Sequence, residues 1–179
     1  MITEARLKDG THALIWELLP CDREALRTGY EQLSEETRYH RFLTGVPHLS
    51  PALLDHLVDE VDGVDHIALV MVVLDDSDVG VPAGVGRIIR YPDRPTVADL
   101  AVTVTDDWQG RGVATALVDE LVRRRPEGVT QIATTVTADN AASLAMLHRL
   151  GPASVTPTET PRLDVVVELA DSDESASTA

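Results

Sequence analysis

Asp99 and, shortly after it, the run Gln109-Gly110-Arg111-Gly112-Val113-Ala114 are the residues whose types and spacing could do chemistry. A β-type run feeds a short loop, and the loop turns directly into a helical pattern. Gly110 and Gly112 allow tight backbone conformations and let a ligand approach with no Cβ in the way. The helix start behind them presents unpaired N–H groups and a partial positive charge, a position that suits a pyrophosphate. Arg111 can add a charge-assisted contact or point to solvent, and both remain open. A Walker loop would need Gly-Lys-Ser/Thr, which is missing. A dinucleotide fingerprint would need a third glycine where Thr115 stands. An ordinary strand–helix turn that happens to contain glycines is the plain alternative.

Asp99 lies inside the strand pattern 97–104, where alternation puts Val97, Asp99, Ala101 and Thr103 on one face. Ala98, Leu100, Val102 and Val104 take the other. An aspartate in a strand runs against propensity, so something must compensate for it. It is a candidate general base, or else a carboxylate on a solvated face or paired with a cation such as Arg87.

These residues need a frame. Strands are expected at 14–19, 67–74, 83–91, 97–104, 131–136 and 162–169. Helices are expected from Asp22 toward Leu33, from Ser34 through Arg41, from Ser50 through Val61, over 112–124 and over 139–150. Ser50-Pro51 is the usual cap-then-first-turn order. The middle strands, joined by the short turns 75–78 and 92–95, imply an antiparallel meander. The strand–helix alternation that follows makes a mixed α/β sheet. A single domain over 1–170 with an acidic solvated tail, 171–179, accounts for the chain.

Composition narrows the class. The 179 residues are 44% hydrophobic but only 3% aromatic, so the core must rest on Val, Leu, Ile and Ala. No apolar run approaches the roughly 18 residues of a membrane span, and the start lacks a signal-peptide pattern. A cytoplasmic protein is expected, with no membrane partner. The net charge of −15 repels phosphate backbones, which argues against nucleic acid; it would favour approach of a cationic substrate, and plain solubility is an equal alternative. With Cys21 the only cysteine, no internal disulfide can form, and no histidine pair has metal-ligand spacing. No metal is expected.

Gln109-x-x-Gly112-x-Ala114 resembles the Gln/Arg-x-x-Gly-x-Gly/Ala signature of the GCN5-related N-acetyltransferases. Asn140-x-x-Ser143, with Gly151 beyond it, is similar in spacing to that family's second element. The segment Leu33-Ser-Glu-Glu-Thr-Arg-Tyr-His-Arg-Phe42 resembles one in bacterial protein-lysine acetyltransferases. The resemblance covers nearly the whole chain. It implies an α/β (α+β) fold with a mixed, mostly antiparallel sheet flanked by helices on both faces. It also implies transfer of acetyl from acetyl-CoA to a primary amine.

On these residues the family pattern sets the main chain of Gln109, Gly110, Arg111, Gly112, Val113 and Ala114 around the pyrophosphate. Val102 and Val104 would pair by main chain with the pantetheine arm, Asn140 would hydrogen-bond it, and Asp99 would be the base. The plain alternative for Asn140 is a helix cap.

The chain departs from the pattern in three places. Asp99 stands where related protein acetyltransferases carry a glutamate, Leu147 where many members carry a tyrosine, and Pro152 where an aromatic is usual. Tyr30, Tyr39 and Tyr91 are other possible acids, with no support from spacing. The acceptor expected is a protein lysine, with a polyamine or aminoglycoside-like amine as alternative. A monomer or homodimer is expected. A weakly catalytic acyl-CoA-binding regulatory module is the rival reading.

Overall fold

The computed structural model describes residues 1–74 and 79–170, so the 75–78 turn and the acidic tail lie outside the described residues. Eight strands form one sheet: β1 (Thr3–Arg6), β2 (His12–Glu17), β3 (His66–Leu74), β4 (Gly80–Tyr91), β5 (Arg94–Val104), β6 (Gln131–Thr137), β7 (Ala153–Pro157) and β8 (Arg162–Glu168). Their spatial order is β1-β2-β3-β4-β5-β6-β8-β7. Five helices accompany them: α1 (Arg23–Glu31), α2 (Glu35–Phe42), α3 (Pro51–Asp59), α4 (Val113–Arg123) and α5 (Ala141–Leu150). The fold is the expected mixed α/β sheet. Its neighbouring strands run antiparallel except β5 and β6.

The apolar run Ile67–Val73 makes β3 a central strand, and a strand between covered faces needs no polar alternation. One face carries Leu69, Met71, Val73, Ile88 and Leu100, which join Val113, Leu117, Leu121 and Leu147 of α4 and α5 in the larger core cluster. The other carries Ala68 and Val70 against Tyr30, Leu33, Leu54, Leu57 and Val58 of the α1–α3 segment. Gly84 and Gly86 let α4 sit this close. A Cβ on Gly84 would meet Thr103 O at 2.8 Å and Leu117 Cδ1 at 3.1 Å, and one on Gly86 would meet Leu121 Cδ1 at 2.8 Å.

Ser34 caps α2 by accepting from Thr37 N–H, and Ser50 caps α3 by accepting from Leu53 N–H. The meander is present, with β4 and β5 joined through the two residues between Tyr91 and Arg94. Two strands escaped the sequence reading, β1 and β7. Both are short edge strands, β1 half-exposed and β7 largely exposed, so neither carries enough apolar alternation to stand out. Gly151, expected simply to stop a helix, has a second role. A Cβ there would lie 2.0 Å from Glu168 O, so β8 can pass only because it is glycine.

Candidate functional site

The parallel pairing of β5 with β6 is brief: Val97 faces Gln131 and Ala98 faces Ile132, and beyond them the ladder stops. Past Ala98, β5 keeps its pairing to β4 on one side and opens on the other. Thr96 O accepts from Thr130 N–H at 2.9 Å, and Leu100 O accepts from Thr134 Oγ1 at 3.3 Å. Even-numbered residues of β5 therefore turn their main-chain groups toward β6. By strand alternation those of Val102 and Val104 face the same gap. Val104 O accepts from Gln109 Nε2 at 3.3 Å, which leaves Val102 as the open main-chain position.

The strand leads through a 3-10 turn at Asp106–Trp108 into Gln109 and the glycines. Gly110 (φ 73°) and Gly112 (φ 100°) both occupy the left-handed region. A Cβ on Gly110 would touch nothing within 4 Å, so this side of the loop is open, whereas one on Gly112 would press on Lys8 Cγ at 3.1 Å. Lys8 N–H also donates to Arg111 O at 3.2 Å, so the β1–β2 connection braces the loop from behind. No side chain caps α4. Its first N–H groups therefore stand without an intrahelical partner, as at any helix start. The open glycine backbone and this uncapped start fit a diphosphate.

The loop's side chains mostly hold the loop itself. Arg111 stacks over Trp108 at 3.9 Å and pairs with Asp9 at 2.5 Å, so its guanidinium neither floats in solvent nor stands free. Donors from Thr11 first, then Arg111, hold Asp9 well below the usual carboxylate range. Gln109 Nε2 donates to Thr37 Oγ1 at 3.0 Å. Asn140 caps α5, its Oδ1 accepting from Ser143 N–H at 3.0 Å. This is the role the plain alternative gave it, and among the described residues its amide nitrogen has no hydrogen-bond partner.

Helix α2 arches across the gap. At its start Ser34 and Thr37 donate to Asp106, just after β5. At its end His40 lies 3.5 Å from Asp139, just after β6, and Leu43 O accepts from Arg162 Nη2 of β8. Burial pushes the Asp106 carboxyl up, but the donors from Ser34 and Thr37 outweigh it and leave it below its ordinary value. Asp106, Ser34 and Thr37 were not picked out as a set from the sequence; only the Leu33–Phe42 segment hinted at them.

Asp99 is half-buried on the α1–α3 face, opposite Ile89, with Ala101 opposite Arg87. No ion pair with Arg87 forms. Arg87 Nη1 instead donates to Leu57 O at 3.1 Å and approaches His66 Nε2 at 3.2 Å. The charged neighbours of Asp99 are different groups. Burial pulls Arg41 below its usual value, and the Asp99 charge opposes that. Burial raises the Tyr91 phenol, and the Asp99 charge raises it further. Tyr91 OH donates to Ala133 O at 3.2 Å, and Tyr30 OH donates to Val46 O. Leu147 is 1% exposed, packed in the core.

A cavity of about 120 Å³ lies between the α1–α3 segment and this sheet face, lined among others by Tyr30, Arg41, Phe42, Arg87 and Thr103. Among the described residues no group of three His, Cys, Asp or Glu side chains could hold a metal ion. No helix among them is long and apolar enough to cross a membrane.

A splayed strand pair, an open strand edge and a glycine loop on an uncapped helix together are the frame of an acyltransferase. Residues 23–151 match the family model described as acetyltransferase (GNAT) family, and the chain belongs to that family. It is 36% identical over 141 residues to the acetyltransferase PA5475 of Pseudomonas aeruginosa, covering 78% of this chain and 73% of that one. It is 34% identical over 147 residues to the acetyltransferase Pat of Mycolicibacterium smegmatis, covering 82% of this chain but only 43% of Pat. The fold superposes on the GNAT domain of S. lividans PAT with a TM-score of 0.80 at 24% identity, over 94% of this chain and 97% of that domain. The protein is thus an acyltransferase, with the sheet and helix arrangement of its relatives.

Proposed function

We propose that this enzyme moves acetyl from acetyl-CoA to a primary amine, a protein lysine ahead of a small polyamine-like acceptor, with Asp99 as general base. The observation that carries the reading is the end of the β5–β6 ladder after Ala98, which leaves the main chain of Val102 open between Asp99 and the glycine loop. Gly110, Gly112 and the N–H groups of Val113 and Ala114 would hold the diphosphate. Val102 would pair with the pantetheine arm, and Asn140 would add its spare amide. Bound there, acetyl-CoA supplies an acylated sulfur that leaves readily as thiolate.

The chain's own work concerns the amine. A free lysine has a pKa of roughly 10.4, so about one molecule in 10³ is neutral near pH 7. The Asp99 carboxylate takes the proton that the amine sheds, directly or through one water, since aspartate is a methylene shorter than glutamate. The Val102 N–H donates toward the oxygen where negative charge develops. With leucine at 147, solvent protonates the leaving sulfur. The Leu33–Phe42 segment, with its resemblance to one in bacterial protein-lysine acetyltransferases, supports a protein lysine as acceptor.

Calorimetry with CoA, followed by mass spectrometry of acceptors incubated with acetyl-CoA, tests this. The expectation is tight CoA binding and acetylated lysines. CoA binding without transfer to any amine would favour the regulatory module, and NAD or ATP binding in place of CoA would overturn the site.

A further inference from the structure

Two arginines line the cavity beneath α1 and α2, and among the described residues neither makes a hydrogen bond or ion pair to a carboxylate, although the Asp99 charge acts on Arg41 from a distance. Arg87 is only 4% exposed. One nitrogen, Nη1, meets Leu57 O and His66 Nε2, while Nε and Nη2 have no hydrogen-bond partner among the described residues. Arginine can only donate, so His66 Nε2 must accept and the ring stays neutral. Burial first, then the Arg87 charge, holds His66 below its ordinary value. Arg41 stacks over Phe42 at 4.8 Å and makes no hydrogen bond or ion pair within the described residues.

The balance of charge at this spot is the reverse of the molecule's. Asp22 is the one acid among the lining residues, and it already accepts from Leu19 N–H at 2.9 Å. Asp99 and Tyr30 offset Arg41 in part, while Arg87 feels mainly burial and the like charge of Arg41. A chain of net charge −15 thus keeps two cations together in a mostly apolar cavity. Buried charge without a partner is costly, and packing alone does not call for it. A bound anion would complete the set through charge-assisted, fork-like hydrogen bonds.

The rungs of the sheet run from this cavity toward Asp99. Val85 faces Thr103, Arg87 faces Ala101 and Ile89 faces Asp99. Rungs two residues apart lie about 7 Å from each other along a strand, the span of a few methylenes. At the Arg87 rung Ala101 adds only a methyl group on this face.

Resting on the transfer reading above, we propose that the acceptor amine carries a carboxylate, which Arg87 and Arg41 bind in this cavity while the amine reaches Asp99. The carboxylate belongs either to a free diamino acid or to an acidic side chain beside a peptide lysine.

The test compares acceptors that differ only in that group. The free pairs are ornithine with putrescine and lysine with cadaverine. The peptide pair carries glutamate or glutamine next to one lysine. The wild-type enzyme should show at least tenfold higher kcat/KM for the carboxylated member of the free pairs, or of the peptide pair. Which pair responds identifies the source. Arg41→Gln and Arg87→Met should reduce the preference to under threefold, and Arg87→Lys should keep part of it if Arg87→Met fails to fold. Equal kcat/KM within all pairs overturns the proposal.

A second measurement does not depend on turnover: thermal stabilisation of the CoA-loaded protein by glutarate. If no amine is acetylated, the transfer reading fails and this measurement decides the subsite. Stabilisation in the wild type that is lost in Arg41→Gln supports it, and none in the wild type overturns it.

Discussion

The Asp106 carboxylate accepts from both the main-chain N–H of Ser34, at 2.9 Å, and its hydroxyl, at 2.7 Å. Residues far apart in the chain are thereby locked where α2 begins and β5 ends. Thr37 Oγ1 joins at 2.8 Å and passes the link to Gln109. The helix over the gap and the loop beside it are one hydrogen-bonded unit.

Asp106→Ala removes the acceptor for four donors at once, the Ser34 N–H and hydroxyl, the Thr37 hydroxyl and the Gln109 amide. Because the site is exposed, the stability cost should be about 1 kcal/mol, at the low end for charged hydrogen bonds. The larger effect should be on acceptor binding, with the amine KM rising several-fold as α2 loosens. The carboxyl sits below its ordinary value, so its contribution is present above about pH 4 and fades as pH falls. Urea titrations and steady-state kinetics check both parts. An unchanged KM would separate the clamp from the acceptor site.

Asp99→Asn keeps the shape and removes the base. Turnover should fall at least tenfold with little change in CoA affinity, because Asp99 faces the α1–α3 side and the glycine loop is elsewhere. Single-turnover rates and calorimetry measure the two quantities. Equal rates would remove Asp99 from the mechanism.

Gly110 and Gly112 should respond differently to alanine. Both need a left-handed backbone, which costs a side chain about 1 kcal/mol. Only at Gly112 does the new Cβ also press on Lys8. Gly112→Ala should therefore lower both stability and CoA affinity more than Gly110→Ala. Denaturant midpoints and CoA titrations of the two variants check the order.

Glu120 should govern acid stability. It is 7% exposed and receives Arg123, Thr3 and Arg124, which hold its carboxyl down to about 2 despite burial. A depressed folded-state value stabilises above the unfolded value of 4.5 and is lost as pH falls from there toward about 2. Glu120→Gln should cost about 2 kcal/mol at neutral pH. The gap to wild type should narrow in melts below pH 4.5 and close as pH approaches about 2.

The strand–loop–helix segment was legible because its information is local. Glycine at 110 and 112, a β-branched run before and an amphipathic run after leave few conformations open. The three central strands were legible for the same reason, being long and apolar. Residues 3–6 and 153–157 gave no such signal, since edge strands are defined by the neighbour they pair with. Asp99 could be placed on a face by alternation, but the pairing with Arg87 that stood as one alternative for it does not form. Which cation an acid meets depends on what packs above the sheet, and here that is Arg41.

Sequence alone settled the order of the helices and the longer strands, the strand–loop–helix turn and the faces of β5, because periodicity and glycine act over a few residues. The rest waited for tertiary structure: the gap between β5 and β6, the span of α2 across it, the brace of Lys8 behind Gly112, and the meeting of Arg41 with Arg87. Each of these joins residues distant in the chain. Their meeting depends on how two faces of one sheet are covered, which no local pattern encodes.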